Sequence, residues 1–341
     1  MTLRRFALLA AVPFALSASF AQEKPKQEPK KKLERIAIAD PKELKDNADF
    51  AVQGEYVSDP KAKYKFAYQV VARGDGKFDM ALYEGGLPGE EGVKFVSLKD
   101  HTAERKGGAV EVSYPVFGKV TKMGEIKDGK LTLENQPGVV YTKVERKSPT
   151  LGAEPPKGAV VLFGKEGDEK NWGGGKLVEL SDGKFLNNGI KSKQAFGAFS
   201  AHVEFRLPWM PNSTGQQRGN SGVYLQDRYE CQVLDSFGLK GENNECGGFY
   251  TLHKPKVNMC LPPMVWQTYD IEFTPAVFAD GKKTKNARAT VKHNGVTIHD
   301  DVELTKATGG GQEEKDTPGM IQFQNHGDPV VFRNVWVVEK K

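Results

Sequence analysis

The chain has 341 residues, 38% of them hydrophobic and 27% charged, with a formal net charge of +5. That length and composition exclude a wholly disordered chain and leave room for two domains of ordinary size. Arg4 and Arg5 belong to a removable N-terminal segment, which lowers the charge from +5 to +3. With no basic stripe and no zinc-finger spacing, no nucleic-acid partner is expected.

Residues 1–21 read as an export signal. Arg4 and Arg5 precede an apolar run over residues 6–16, and Ser19-Phe20-Ala21 forms a small-x-small cleavage pattern before Gln22. The run is shorter than the roughly 18 apolar residues a membrane helix needs, and no later stretch approaches that length, so no transmembrane segment is expected. The expected location is periplasmic or secreted. Residues 22–39 open with Glu, Lys, Pro and Gln and include three consecutive lysines, the composition of a disordered spacer.

Residues 40–147 predict a small β-rich domain. Tyr64, Phe66, Tyr68 and Val70 alternate along one face, Gly74-Asp75-Gly76 turns the chain, and Phe78, Met80 and Leu82 return. Ile126 and Leu131 flank Asp128-Gly129, a hairpin signal. The glycine-rich stretch 85–92 lacks the pattern of a phosphate loop, and this half shows no catalytic constellation. Its expected role is to pack against or position its neighbour. Residues 148–158, with Pro149, Pro155 and Pro156, predict an extended connector.

Residues 159–338 predict strands at 198–206, 222–226, 229–234, 268–273, 287–293, 296–299, 320–323 and 331–338, with a tight hairpin at Asn294-Gly295. No helical pattern of ten or more residues interrupts them. The chain is therefore expected to be all-β, a sandwich or jelly roll preceded by a smaller β domain.

Residues 218–250 carry the functional signal. Period two places Glu230 and Gln232 on one strand face and Tyr229, Cys231 and Val233 on the other. Asp235 joins the Glu230 face only through a bulge near residues 233–234. The expectation is an open polar cleft on a curved sheet; the plain alternative is an ordinary solvent-facing strand. His202, Glu204 and Arg206 alternate on another strand, and His326 lies in the loop 324–328 ahead of Arg333. Cys246 and Cys260 are the preferred disulfide pair, with Cys231 a buried apolar residue. No H-E-x-x-H pattern or three-ligand cluster specifies a metal.

The motifs together resemble the 3-keto-disaccharide hydrolase family. They are V-L-F-G-K (161–165), E-F-R-L-P (204–208), R-G-N-S-G-V-Y-L-Q (218–226), Y-E-C-Q-V-L-D-S-F-G (229–238), N-E-C-G-G-F-Y (244–250), W-Q-T-Y-D-I-E-F (266–273), V-K-H-N-G-V-T-I-H (291–299) and F-Q-N-H-G-D-P-V-V-F-R-N-V-W (323–336). Two departures stand out: Phe163-Gly164-Lys165 where the family favours Phe-Asp/Asn-Gly, and Phe323-Gln324-Asn325 where Leu-Gln-Asp is common. The resemblance implies a concanavalin-A-like jelly roll in an exported sugar-degrading protein. The N-terminal half resembles an extension seen in planctomycete members.

The activity so implied is cleavage of 3-keto-glycosides: removal of the acidic C2 proton, expulsion of the C1 substituent, and hydration. Such a site needs a base, an oxyanion stabiliser and an acid. Glu230, Asp235 and Glu204 offer carboxylates, while Arg333, His326 and Asn220 offer donors. Gln232 adds a polar contact, and Tyr224, Tyr229, Trp209 and Phe249 could cover a sugar's apolar faces. A divalent cation, calcium by preference, suits an exported oxygen-rich site, but no ordered calcium loop assigns one. Two other readings stay open. One is a lectin-like module that binds carbohydrate without turnover. The other is a retaining β-glucanase-like enzyme, for which Glu230, Gln232 and Asp235 offer only an imperfect carboxylate series.

Overall fold

Alternation of apolar and polar residues closes the first half of the chain on itself. The computed structural model describes residues 34–340 except 60, 61, 63, 64, 117 and 118. The export signal, the lysine-rich stretch and Tyr64 lie outside the described residues. Eight antiparallel strands, from Gly54–Ser58 to Val140–Val144, each pair with the next. The first also pairs with the last, closing a barrel. Tyr56, Tyr68, Phe78, Met80 and Tyr141 fill its interior, so it is a packed core rather than a channel. The Phe66–Gly74 and Lys77–Glu84 hairpin follows the pattern read from the sequence. The long Lys94–Lys106 strand was not anticipated, because its many charged residues mask the alternation that packs Ala103 inward.

Residues from Val160 onward form two facing sheets and a small separate hairpin, Val277–Ala279 with Lys282–Lys285. The smaller facing sheet has the order Trp172–Gly173, Ile190–Phe196, Gly319–Phe323, Ser221–Leu225, Tyr229–Val233. The larger runs Leu177–Leu180, Gly183–Leu186, Val331–Glu339, Phe199–Arg206, Trp266–Thr274, Ala287–His293, Val296–Leu304, with Val160–Phe163 also paired to Val331–Glu339. Val223, Cys231 and Phe323 of the first sheet share one core with Val203, Phe273 and Phe332 of the second. Phe323 and Phe332 stack across the gap with centroids 3.9 Å apart. At Asn294-Gly295 both residues have positive φ, 49° and 79°, the geometry an Asn-Gly hairpin favours. The result is all-β, a closed barrel joined to a two-sheet sandwich.

Barrel and sandwich belong to one compact unit, Arg35–Lys341. Trp209 and Met264 of the sandwich half pack into the barrel core, and Val71 of the barrel packs into the sandwich core. The connector is fastened to the larger sheet. Ser148 Oγ lies 2.6 Å from Thr268 Oγ1, Thr150 Oγ1 donates to Asp270 Oδ2 at 2.7 Å, and the Gly152 N–H donates to Glu204 Oε1 at 2.5 Å. The spacer also ends earlier than expected. Ile38 exchanges two backbone hydrogen bonds with Trp209, at 3.1 and 2.8 Å, and Arg35 pairs with Asp328.

The expected Cys246–Cys260 disulfide is not formed; all three cysteines are buried thiols. Cys246 Sγ sits 3.2 Å from the Tyr269 hydroxyl, while Cys260 Sγ points toward the Leu234 and Leu261 carbonyls.

Candidate functional site

Two adjacent strands of the smaller sheet build the site. Ser221–Leu225 and Tyr229–Val233 pair without a register shift, Tyr224 opposite Glu230 and Gly222 opposite Gln232. Val223, Leu225, Tyr229, Cys231 and Val233 enter the sandwich core, so Tyr224, Glu230 and Gln232 take the outer face. Gly222 leaves room there: a Cβ at this position would stand 2.1 Å from Glu230 Oε1 and 2.9 Å from its Cγ. The backbone of Gly222 does not need positive φ. Gly222→Ala is therefore expected to fold normally and to push the Glu230 carboxyl aside. Activity should fall by about tenfold or more with little change in melting temperature, as for any misplacement of a reacting group.

The face is roofed, not open as the sequence suggested. Glu230 is only 2% exposed and Tyr224 1%. The segment 308–311 lies across them. The Tyr224 hydroxyl donates to the Gly309 carbonyl at 2.9 Å, the Glu230 N–H donates to Thr308 Oγ1 at 2.8 Å, and a Cβ at Gly310 would touch the Tyr224 hydroxyl at 2.8 Å. The run Thr308-Gly309-Gly310-Gly311 was the signal available in the sequence and was not read as part of the site.

Burial pushes the Glu230 carboxyl up to about 7, despite the opposing hydrogen bond from the Tyr224 hydroxyl to Oε2 at 3.0 Å. Tyr224 itself is raised, first by burial and then by the Glu230 charge, and stays protonated. Its one proton serves two acceptors, Glu230 Oε2 and the Gly309 carbonyl. Three buried oxygens on this stretch have no partner among the described residues: Glu230 Oε1, Gln232 Oε1 and Asn220 Oδ1. Orphaned buried acceptors are costly and call for donors. Sugar hydroxyls would supply them, and oxygen atoms of this kind are also what a hard cation takes. Among the described residues, no group of three His, Cys, Asp or Glu side chains is placed to hold a metal.

Amides that the sequence reading passed over tie the face together. Gln216 Oε1 accepts from Gln232 Nε2 at 3.0 Å and from Asn220 Nδ2 at 3.2 Å. Gln324 Nε2 donates to the Tyr224 hydroxyl at 3.2 Å. Asp328 accepts from the Asn220 N–H at 2.7 Å; burial raises its carboxyl, partly offset by that bond and by the nearby charges of Arg35 and His326. His326 lies exposed in the same turn, at the edge of this cluster.

The remaining expected site residues lie elsewhere. Glu204 and Arg333 are on the larger sheet, on the face turned away from the shared core, so they do not join Glu230. Glu204 Oε2 accepts from Arg333 Nε at 2.7 Å, and Oε1 accepts from Asn334 Nδ2 and the Gly152 N–H. Burial would raise its carboxyl, but these bonds and His202 hold it down at about 2, fixed as an anion that anchors the connector. For His202, burial is outweighed by its hydrogen bonds to Asp270 and Glu204, leaving it raised. Asp235 lies past the end of an unbulged strand and pairs with Arg218 Nε at 2.6 Å, both side chains buried. Trp209 packs edge-on to Phe50 in the barrel core, while Tyr229 and Phe249 sit in the sandwich core. An aromatic in a polar motif looks the same whichever way it points, so sequence offers all three as sugar platforms and the fold withdraws them.

The model for the 3-keto-alpha-glucoside-1,2-lyase-like domain matches residues 158–338, slightly more than half of the chain. The chain belongs to this family. The Glu230 face and its roof fall inside the 3-keto-alpha-glucoside-1,2-lyase-like domain, and the barrel falls outside it. One similar solved structure is a Parabacteroides distasonis protein provisionally described as a glycosyl hydrolase. It is 34% identical, with 54% of this chain and 85% of that chain covered and a TM-score of 0.48. A second from the same organism, described in the same way, is 18% identical, covers 54% and 95%, and has a TM-score of 0.37. No curated protein matches the chain. Among the described residues, no helix is long and apolar enough to cross a membrane.

Proposed function

We propose that the chain is an exported carbohydrate-active enzyme that cleaves glycosides already oxidised at C3, on a concanavalin-A-like jelly roll, with Glu230 moving the proton. The observation that carries this reading is the Glu230 carboxyl: raised to about 7, one oxygen held by Tyr224 and the other unpartnered beside Gln232 and Asn220. A carboxyl poised near neutrality can both accept and return a proton.

In this reading the ionised Glu230 takes the C2 hydrogen as a proton, and the electron pair of the C2–H bond passes into the C3 carbonyl. Return of that pair forms the C1=C2 bond and breaks the C1–O bond. The leaving oxygen takes a proton, and water then adds across C1=C2 to complete a net hydrolysis. Gln232 and Asn220 receive sugar hydroxyls through their free oxygens, and the 308–311 segment lifts to admit the substrate. His326 stands at the rim as a further polar contact.

The retaining-glucanase alternative requires a second free carboxylate close by. The nearest in the motif is Asp235, which is committed to Arg218. A paired assay decides between the readings. A 3-keto-glucoside should be consumed at least about a hundredfold faster than its unoxidised parent, because the ketone is what makes the C2 proton removable. Equal turnover of both would favour a glycosidase, and binding of both without product a lectin-like module. For Glu230 as base, kcat/KM should rise with pH and level off above about 7.

A further inference from the structure

A cavity of about 630 Å³ opens where the barrel, the two short helices before it (Pro41–Leu44 and Ala48–Val52), the connector and the segment ahead of Trp266 meet. It lies outside the family domain's Glu230 face and is of the size small-molecule sites have. Its walls are largely apolar, from Leu44, Phe50, Pro262 and Trp266. Gln53 lines it and is 3% exposed; its Oε1 accepts from the Ala72 N–H at 3.0 Å, but its Nε2 has no partner among the described residues. Lys143 lies across Gly54, the residue next to Gln53: a Cβ there would stand 2.5 Å from Lys143 Cε. The Lys143 ammonium donates to the Ala51 carbonyl at 2.7 Å, and among the described residues no carboxylate pairs with it. Arg146, also in the lining, is neutralised by two bonds to Glu55 at 2.6 Å each. Of the other described charged lining groups, Lys45, Lys143 and Lys147 are positive and Glu145 is negative.

From these features we infer that the cavity is a binding site for a small carboxylate with an apolar ring. The carboxylate takes the orphaned Gln53 N–H and the Lys143 ammonium, and the ring takes the apolar wall. Burial lowers the Lys143 ammonium, so an anion beside it would offset that cost. An orphaned buried donor is likewise relieved by an acceptor.

Calorimetric titration of the full-length mature protein with phenylacetate tests this. Saturable one-to-one binding is expected, and neutral phenylacetamide should bind at least about tenfold more weakly. Gln53→Glu keeps the acceptor for the Ala72 N–H but replaces the donor with a carboxylate oxygen, and should weaken phenylacetate by about tenfold or more. Lys143→Met should act in the same direction, and unchanged melting temperatures would show that both variants fold. Absence of saturable binding, equal binding of acid and amide, or undiminished binding in folded Gln53→Glu would each overturn the assignment. Turnover at the Glu230 face serves as an independent control and should be unaffected by Gln53→Glu.

Discussion

Glu230→Gln is expected to be folded, nearly inactive, and more stable than the parent above neutral pH. Loss of a proton-transferring group typically costs about 10²–10⁴ in rate. The stability effect follows from the raised pKa. Between the ordinary value of 4.5 and about 7, the folded protein holds a proton that the unfolded chain has released. Stability contributed by this group is therefore present below 4.5 and lost as pH rises to about 7, then constant. The loss is on the order of 3 kcal/mol at 1.36 kcal/mol per pH unit. Glutamine does not titrate and escapes it. Thermal unfolding at pH 4 and pH 8 should show the variant and parent nearly equal at the lower pH and the variant several degrees higher at the upper. Coincident stabilities at both values would mean that Glu230 ionises freely, and the proton-transfer role would lose its basis.

Asp235→Ala should have the largest effect on stability. It leaves the Arg218 guanidinium buried without its carboxylate, and Arg218 Nη2 already lacks a partner among the described residues. Breaking such a pair on one side typically costs about 3–5 kcal/mol. Arg218 Nη1 also donates to the Ala72 carbonyl of the barrel and to Pro211 and Ser213, so the damage should reach the joint between barrel and sandwich. Asp235→Asn keeps the shape and one acceptor, and should lose less stability. Activity per folded molecule separates support from chemistry: with Asp235 purely structural, the Asn variant keeps turnover within about threefold, whereas a catalytic acid would lose about 10²-fold or more.

The polar series Glu230–Gln232 was legible because a strand alternates: Tyr229, Cys231 and Val233 demand a core, and their neighbours must face away from it. The Asn294-Gly295 hairpin was legible because few residue pairs accept two positive φ angles. These are local properties, carried by residues one or two positions apart. The family resemblance implied that Glu204, Arg333 and Trp209 served the same cleft, and local pattern could not test it. Period two assigns a side chain to a face of its own strand, but only the pairing of distant strands decides which sheet that face belongs to and what covers it. Tyr224 meets Gly309 across 85 residues, and Glu204 meets Arg333 across 129. The titration of Glu230 belongs to the same class of fact. Its carboxyl is raised by desolvation, and the 308–311 segment that helps exclude water from it lies far along the chain, so the residue type was set by sequence while its chemistry was decided by the fold.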